Sequence, residues 1–398
     1  MDILFLSHCV PNPPNKGEKI RASQEIKALS ECYRVHLVCF ARNEQELDDA
    51  NALRTCCASV YAELLPFRSA LAHAAIRFAF GGCVNMVFYE SSKLRDYVIG
   101  LSRRINFSAV VVYALPMAPY APASIPILFD MQDVDSEKWR QYGRMKRFGF
   151  LYNCEARRIR KNELQYAKTA ACTLLTSRQE AQLFRELAPF VTVDCMENGV
   201  DFDLFDPVKV PVLPELSSRR FISFVGTMDY YPNEDAATWF AREALPELRR
   251  RAPDVEFFVV GNNPVSRVRA LARLPGVTVT GGVPDVRPYI AQARAVVAPL
   301  RLARGIQNKV LEAMTLGRRV FATTGVARTF GDDIPAALTC CDSVQEFAAA
   351  ITPELEKLPS PDYRIRDQIS DRFTWKKNVK LFVSRLEDLI STPATQTA

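Results

Sequence analysis

A chain of 398 residues exceeds one ordinary core and suits two domains of roughly 150–200 residues each. Its composition, 48% hydrophobic and 24% charged, excludes a disordered chain, and no apolar run reaches the roughly eighteen residues of a spanning helix. The formal net charge of +6 is modest but uneven: Lys138 to Lys161 holds nine Lys/Arg and one acid, Glu155. That stretch is either a solvated helix face or a surface for anions such as phospholipid headgroups or a lipid-linked diphosphate. It lacks the motifs and interleaved aromatics of a nucleic-acid binder, so no nucleic-acid partner is expected.

The start of the chain, MDILFLSHCVPNPP, has no basic lead and no small-residue cleavage site, and reads as a first strand, Asp2–Ser7, rather than a signal peptide. A helix over Gly17–Leu29 places Ile20, Ile26 and Leu29 on one face. A strand, Arg34–Phe40, and a helix, Glu44–Ala52, follow, then β-rich runs at Ala109–Tyr113, Pro126–Asp130 and Ala171–Thr176. The Pro-rich Asp206–Ser218 reads as a linker. A second series then begins with Phe221–Val225, Val255–Val260, Val277–Thr280, Ala295–Ala298 and Arg319–Ala322. Strands alternating with helices in two series predict an α/β protein of two doubly wound, Rossmann-like halves, facing each other across a cleft at the strands' carboxyl ends. The tail Pro393–Ala398 is expected to be frayed. Eleven cysteines without a C-x-x-C, and only three histidines, predict reduced thiols in a cytoplasmic protein and no metal site.

Three segments carry chemistry. The loop His8 to Gly17 leads into a helix, where Gly17 lets backbone N–H groups approach an anion and Lys16 and Arg21 add charge; a structural turn explains the same residues. Asp130, Asp133 and Asp135 end a strand where α/β folds place ligands. Asp133 is the candidate for sugar hydroxyls or a developing positive charge, whereas Asp135 or Ser136 equally suits a helix cap. Asp133-Val-Asp135 also spells a D-x-D metal motif, read here as chance. In Pro299–Met314 a strand ends, a basic glycine loop follows, and a helix begins near Ile306. Arg301, Arg304, Asn308 and Lys309 at that helix terminus predict a diphosphate site. Glu312 shares a face with Lys309, offering a carboxylate for vicinal ribose hydroxyls, and an ordinary surface ion pair is the alternative.

With these motifs in hand, the chain resembles the GT-B glycosyltransferases of family 4, and within them the sugar transferases associated with PEP-CTERM/EpsH exopolysaccharide systems. The resemblance covers nearly the whole chain and rests on VPNPPNKGEKIRA (10–22), FDMQDVDSEKW (129–139), ENGVD (197–201), FVGTMDYYPNEDAATWF (224–240), the 281–314 segment and FTWKKNVKLFVSRLEDL (373–389). It implies an acceptor-side domain over 1–196, completed by a terminal helix over 375–392, and a nucleotide-sugar domain over 197–374. It also implies Gly17 near the donor diphosphate, Glu312 at the ribose and Val283 where backbone reads the nucleobase. Three positions depart from the family's pattern. Arg304 stands where E-x7-E has its first acid, Gly226-Thr227-Met-Asp-Tyr-Tyr-Pro-Asn233 replaces a frequent Arg and Lys, and Gln132-Asp133 replaces a His-Asp pair. Arg304 and Lys309 are therefore expected to take over the phosphate contacts, with Asp133, Arg304 and Lys309 as the catalytic set.

The resemblance implies retaining transfer from a UDP- or GDP-sugar, without a metal or other cofactor. It implies a saccharide or lipid-linked saccharide acceptor and peripheral contact with an anionic inner membrane face. Two rivals follow from the same residues: a nucleotide-sugar 2-epimerase, which would release free sugar isomer, and a silent scaffold, which would bind nucleotide without turnover.

Overall fold

Runs of branched and aromatic residues without polar alternation, such as Ile3–Leu6 and Phe221–Val225, must be covered on both faces, and both become central strands of parallel sheets. The structure, a computed structural model, describes residues 1–391; the expected frayed tail Pro393–Ala398 and the last residue of the expected 375–392 helix lie outside the described residues. Contacts divide the chain into two units, Met1–Glu197 with the chain from Asn378 onward, and Asn198–Lys377.

The first unit holds β1 (Asp2–Ser7), β2 (Arg34–Ala41), β3 (Ser59–Leu64), β4 (Phe107–Tyr113), β5 (Ile127–Gln132), β6 (Cys172–Leu175) and β7 (Val193–Cys195), in the order β3-β2-β1-β4-β5-β6-β7. All pairs are parallel, with Ile3 opposite both Val35 and Ala109. The second unit holds β8 (Phe221–Val225), β9 (Glu256–Val260), β10 (Val277–Gly281), β11 (Ala295–Ala298), β12 (Val320–Ala322) and β13 (Leu338–Cys340), in the order β10-β9-β8-β11-β12-β13. Strand order reverses beside β1 and beside β8, so each sheet opens a crevice at the carboxyl end of its first strand.

β3, β7 and β13 escape the sequence reading. β3 (SVYAEL) is a half-polar edge strand, and the other two, each an edge strand of its sheet, have three residues each. The Gly17–Ser30 helix buries Ile26 and Leu29 as expected, but its inner face also carries Lys19, Arg21 and Glu25, which a hydrophobic pattern cannot show. Asp206–Ser218 is not a linker between halves. It lies within the second unit, where Leu216 is buried and the Leu213 backbone exchanges hydrogen bonds with the Gln292 amide at 2.8 and 3.0 Å. Gly199 is required where two stretches of backbone cross: a Cβ there would lie 2.4 Å from the Trp375 nitrogen, beside the Val200–Thr374 bridge.

Arg21 is the central buried charge of the first unit. Its Nε and Nη2 donate to Asp130 at 2.6 and 3.1 Å, its Nη1 donates to the Met196 carbonyl at 2.6 Å, and Glu25 lies 3.2 Å away. The role expected for Arg21 and Asp130 at a ligand site is therefore corrected: both are fully enclosed, and each satisfies the other. Removing the cation would leave two buried carboxyls without compensation, so Arg21→Met should destabilise the first unit by about 3–5 kcal/mol in urea unfolding. A loss below about 1 kcal/mol would show that Arg21 is not the tie described.

Candidate functional site

In the second unit the carboxyl ends of β8, β9 and β10 are joined through backbone. Gly226 N–H donates to Val260, Met228 N–H to Asn262, and Gly261 N–H to Gly281. This closeness requires glycine: a Cβ on Gly261, at φ +144°, would sit 1.8 Å from the Gly226 carbonyl. Gly226 in turn faces side chains, since a Cβ there would meet Asn233 Nδ2 at 2.7 Å and Lys309 Nζ at 2.9 Å. Asn233 is buried; its Nδ2 donates to the Thr227 carbonyl at 2.9 Å and its Oδ1 accepts from Lys309 Nζ at 2.5 Å.

Lys309 enters from the helix Asn308–Thr315, whose first turn follows the loop after β11, and its ammonium also lies 4.4 Å from the Phe224 ring centroid. Burial lowers the Lys309 pKa from 10.5 to about 7, with Glu312 pulling the other way. Burial raises Glu312 from 4.5 to about 7, against the pull of Lys309. The two share one helix face, as their spacing predicts. The helix begins after Gln307, which makes no side-chain cap; its amide donates instead to the Arg304 carbonyl at 2.8 Å. Between them Gly305 turns the loop at φ +59°.

The structure thus brings together Gly226, Thr227, Lys309 and Glu312. Asn308 opens the same helix and accepts from Asn198 Nδ2 at 3.2 Å, while Arg304 is half-buried in the preceding loop. Val283 follows Gly282 beyond β10 and packs on the core of this unit. Arg301 stays about half exposed, but its guanidinium is already paired, gripping buried Asp235 at 2.9 and 2.5 Å, which raises its pKa. Asn233 was missed by sequence reasoning. Its only signal was its place beside a proline at a helix start after β8.

In the first unit, Gly17 opens the Gly17–Ser30 helix, whose N-cap Lys16 makes no side-chain bond. Asp133 is half-buried at the end of β5 and accepts from Thr176 Oγ1 at 2.7 Å. The loop presenting it is held by carboxyls. Asp130 accepts from Gln132 N–H at 3.3 Å, Glu180 from Val134 N–H at 2.8 Å, and Glu163 from Ser136 N–H at 2.9 Å. Neither Asp135 nor Ser136 caps the Asp135–Met145 helix: Asp135 pairs with Lys138, and buried Ser136 serves Glu163. Among the described residues, His8, Cys9 and Glu18 bring possible metal-ligand atoms within 4.8 Å. The trio suits a metal poorly, because burial pushes the Cys9 thiol up to about 12 and Glu18 already pairs with Arg42 at 3.1 Å.

The fold is GT-B, an α/β architecture of two domains built on parallel sheets. Residues 219–356 match the family model described as glycosyl transferases group 1, so this stretch carries a glycosyltransferase domain. Anabaena HepE, solved with UDP-glucose, is similar over 98% of this chain and 100% of its own, at 14% identity and a TM-score of 0.67. Trehalose 6-phosphate synthase of Burkholderia multivorans is similar over 98% and 96%, at 12% identity and a TM-score of 0.65. A trehalose-6-phosphate protein of E. coli, bound with UDP-2-fluoro glucose, is similar over 98% and 99%, at 12% identity and a TM-score of 0.62. No curated protein sequence matches the chain. No helix among the described residues is long and apolar enough to cross a membrane.

A lysine held near pKa 7 in the folded state and 10.5 when unfolded costs stability. That cost is fully present below pH 7 and fades as pH rises to 10.5, because the unfolded chain then sheds its extra proton. Lys309→Met removes this pH-dependent cost but leaves Glu312 without its cation, so the stability of the variant relative to the wild type should fall by about 1–3 kcal/mol between pH 7 and pH 10 in urea unfolding. A difference that does not change with pH would mean that the Lys309 pKa is not lowered in the fold.

Proposed function

We propose that the chain transfers a sugar from a nucleoside-diphosphate sugar to a saccharide acceptor. The observation that carries this reading is the Lys309–Glu312 pair on the first turns of an uncapped helix, with the ammonium packed so close to Gly226 that a Cβ there would lie 2.9 Å from it. An arriving diphosphate favours the charged form of Lys309 and meets the helix amides, while the Glu312 carboxylate suits two vicinal ribose hydroxyls. The glycosyltransferase match over 219–356 and the UDP-sugar complexes of proteins sharing the fold support it. Arg304 and Asn308 flank the diphosphate in this reading, and Val283 places backbone at the base.

In the transfer, the bond from the anomeric carbon to the phosphate oxygen breaks and its electron pair goes to that oxygen. The acceptor hydroxyl forms the new bond and its proton passes to the leaving phosphate. Lys309, Arg304 and the helix amides stabilise the departing charge without a metal. Asp133 steadies the positive charge developing on the sugar, and configuration is retained. The acceptor is a growing, lipid-linked exopolysaccharide at the inner face of the cytoplasmic membrane, approached through the basic 138–161 segment.

Titration calorimetry with UDP and GDP, without metal, tests the donor site. One nucleotide should bind, and Lys309→Ala, Glu312→Ala and Gly226→Ala should each weaken it at least ~10-fold, the last because its methyl displaces Asn233 and Lys309. Binding of neither nucleotide would remove the proposal. At about pH 8 Lys309 is mainly neutral and Glu312 mainly ionised, so nucleotide binding should take up close to one proton. The heat should then differ between buffers of different ionisation enthalpy, and the difference should vanish in Lys309→Met. Asp133→Asn should lower kcat by about 10²-fold while leaving nucleotide affinity intact.

A further inference from the structure

The helix Phe67–Ala79 contradicts the usual fate of apolar sequence. Nine of its 13 residues are Ala, Leu, Ile or Phe, yet Ala74 is its one buried residue. Phe67, Ile76 and the following Phe80 are 55%, 60% and 84% exposed. The segment is not simply loose. Arg158 Nη1 donates to the carbonyls of Phe78 and Gly82 at 2.9 and 2.7 Å, and its guanidinium lies 4.3 Å from the Phe78 ring centroid. Glu155 accepts from Asn85 N–H at 3.0 Å and from the Cys83 thiol at 3.2 Å. These bonds hold the carboxyl end of the apolar helix against the helix Gly149–Ala167.

That second helix starts at another exposed apolar turn, with Phe148 at 56% and Phe150 at 64%. Leu151, also exposed, is four residues before Glu155 and seven before Arg158, so it lies on the face that meets the first helix. Tyr152, next in the chain, instead packs beside Trp139 and Tyr142. The charge around both turns has one sign. No acid occurs between Glu63 and Glu90, and Glu155, the one acid of the 138–161 stretch, is buried. Arg68, Arg77, Arg144, Arg147, Arg157 and Lys161 are exposed and enter no ion pair among the described residues.

We propose that the Phe67–Phe80 segment and the Met145–Leu151 turn form one docking surface for an anionic phospholipid bilayer. Phe80, Ile76 and Phe150 enter the acyl boundary, and the flanking arginines meet lipid phosphates. A helix of 13 residues spans about 20 Å, too short to cross, so it lies along the interface. A second copy of the chain fits the face poorly, because a symmetric contact would bring unpaired arginines together. This inference rests on the membrane contact in the functional reading and assigns it to named residues.

The test is flotation of the full-length protein with phosphatidylcholine vesicles, with and without phosphatidylglycerol. The protein should float with the anionic vesicles alone. I76S/F80S and R68E/R77E should each lower the bound fraction about tenfold while affinity for the nucleotide that binds, UDP or GDP, read in the other unit, stays unchanged. Variants that float like the wild type would overturn this surface and leave the membrane contact standing elsewhere. Equal flotation with neutral vesicles would overturn the phosphate recognition. A wild-type protein that binds neither would overturn the membrane contact itself, and a dimer dispersed by I76S/F80S would make the face an interface between copies.

Discussion

The buried guanidinium of Arg21 ties the first unit together at its strand ends, and its completeness shows by contrast what is unusual at Lys309. Arg21 spends its donors on Asp130 and the Met196 carbonyl, joining the first helix, the end of β5 and the exit from β7. A cation so enclosed, with a bidentate carboxylate and a backbone carbonyl as partners, is structural. Lys309 has one short bond to a neutral amide and a carboxyl neighbour that burial itself pushes toward neutrality. Its charge is undercompensated, a condition that an anionic ligand relieves.

Both sheets place such groups in the same way. Parallel strands buried on two faces send their polar backbone and side chains to the strand ends, where loops must satisfy them. In the second unit the glycines at 226, 261 and 281 let backbone close that end, and Lys309 Nζ packs where a Cβ on Gly226 would come within 2.9 Å of it. In the first unit carboxyls do the closing. Asp130, Glu180 and Glu163 hold three alternate N–H groups of the loop 132–136, and burial raises Glu163 to about 7. A loop held at alternate residues presents Asp133 on a rigid frame rather than on a flexible arm.

Much of the fold was legible because central parallel strands are continuous apolar runs. Ile3–Leu6, Phe221–Val225 and Ala295–Ala298 announce themselves, whereas β3 and the three-residue strands β7 and β13 do not. The Lys309–Glu312 pair was legible from helical spacing. The pairing of Arg301 was not legible: its partner Asp235 is 66 residues away, and no local pattern shows that a cation already has a carboxylate.

The sequence by itself determined two α/β halves and the helix face bearing Lys309 and Glu312, because alternation, glycine and i,i+3 spacing act over a few residues. Only the tertiary structure decided which charges are compensated, since that depends on partners distant in sequence: Arg21 has Asp130 and Arg301 has Asp235, whereas Lys309 has only the neutral Asn233 amide and its helix neighbour Glu312. It alone also decided that the apolar Phe67–Ala79 helix stays uncovered, because burial is a property of the packed chain and not of the segment.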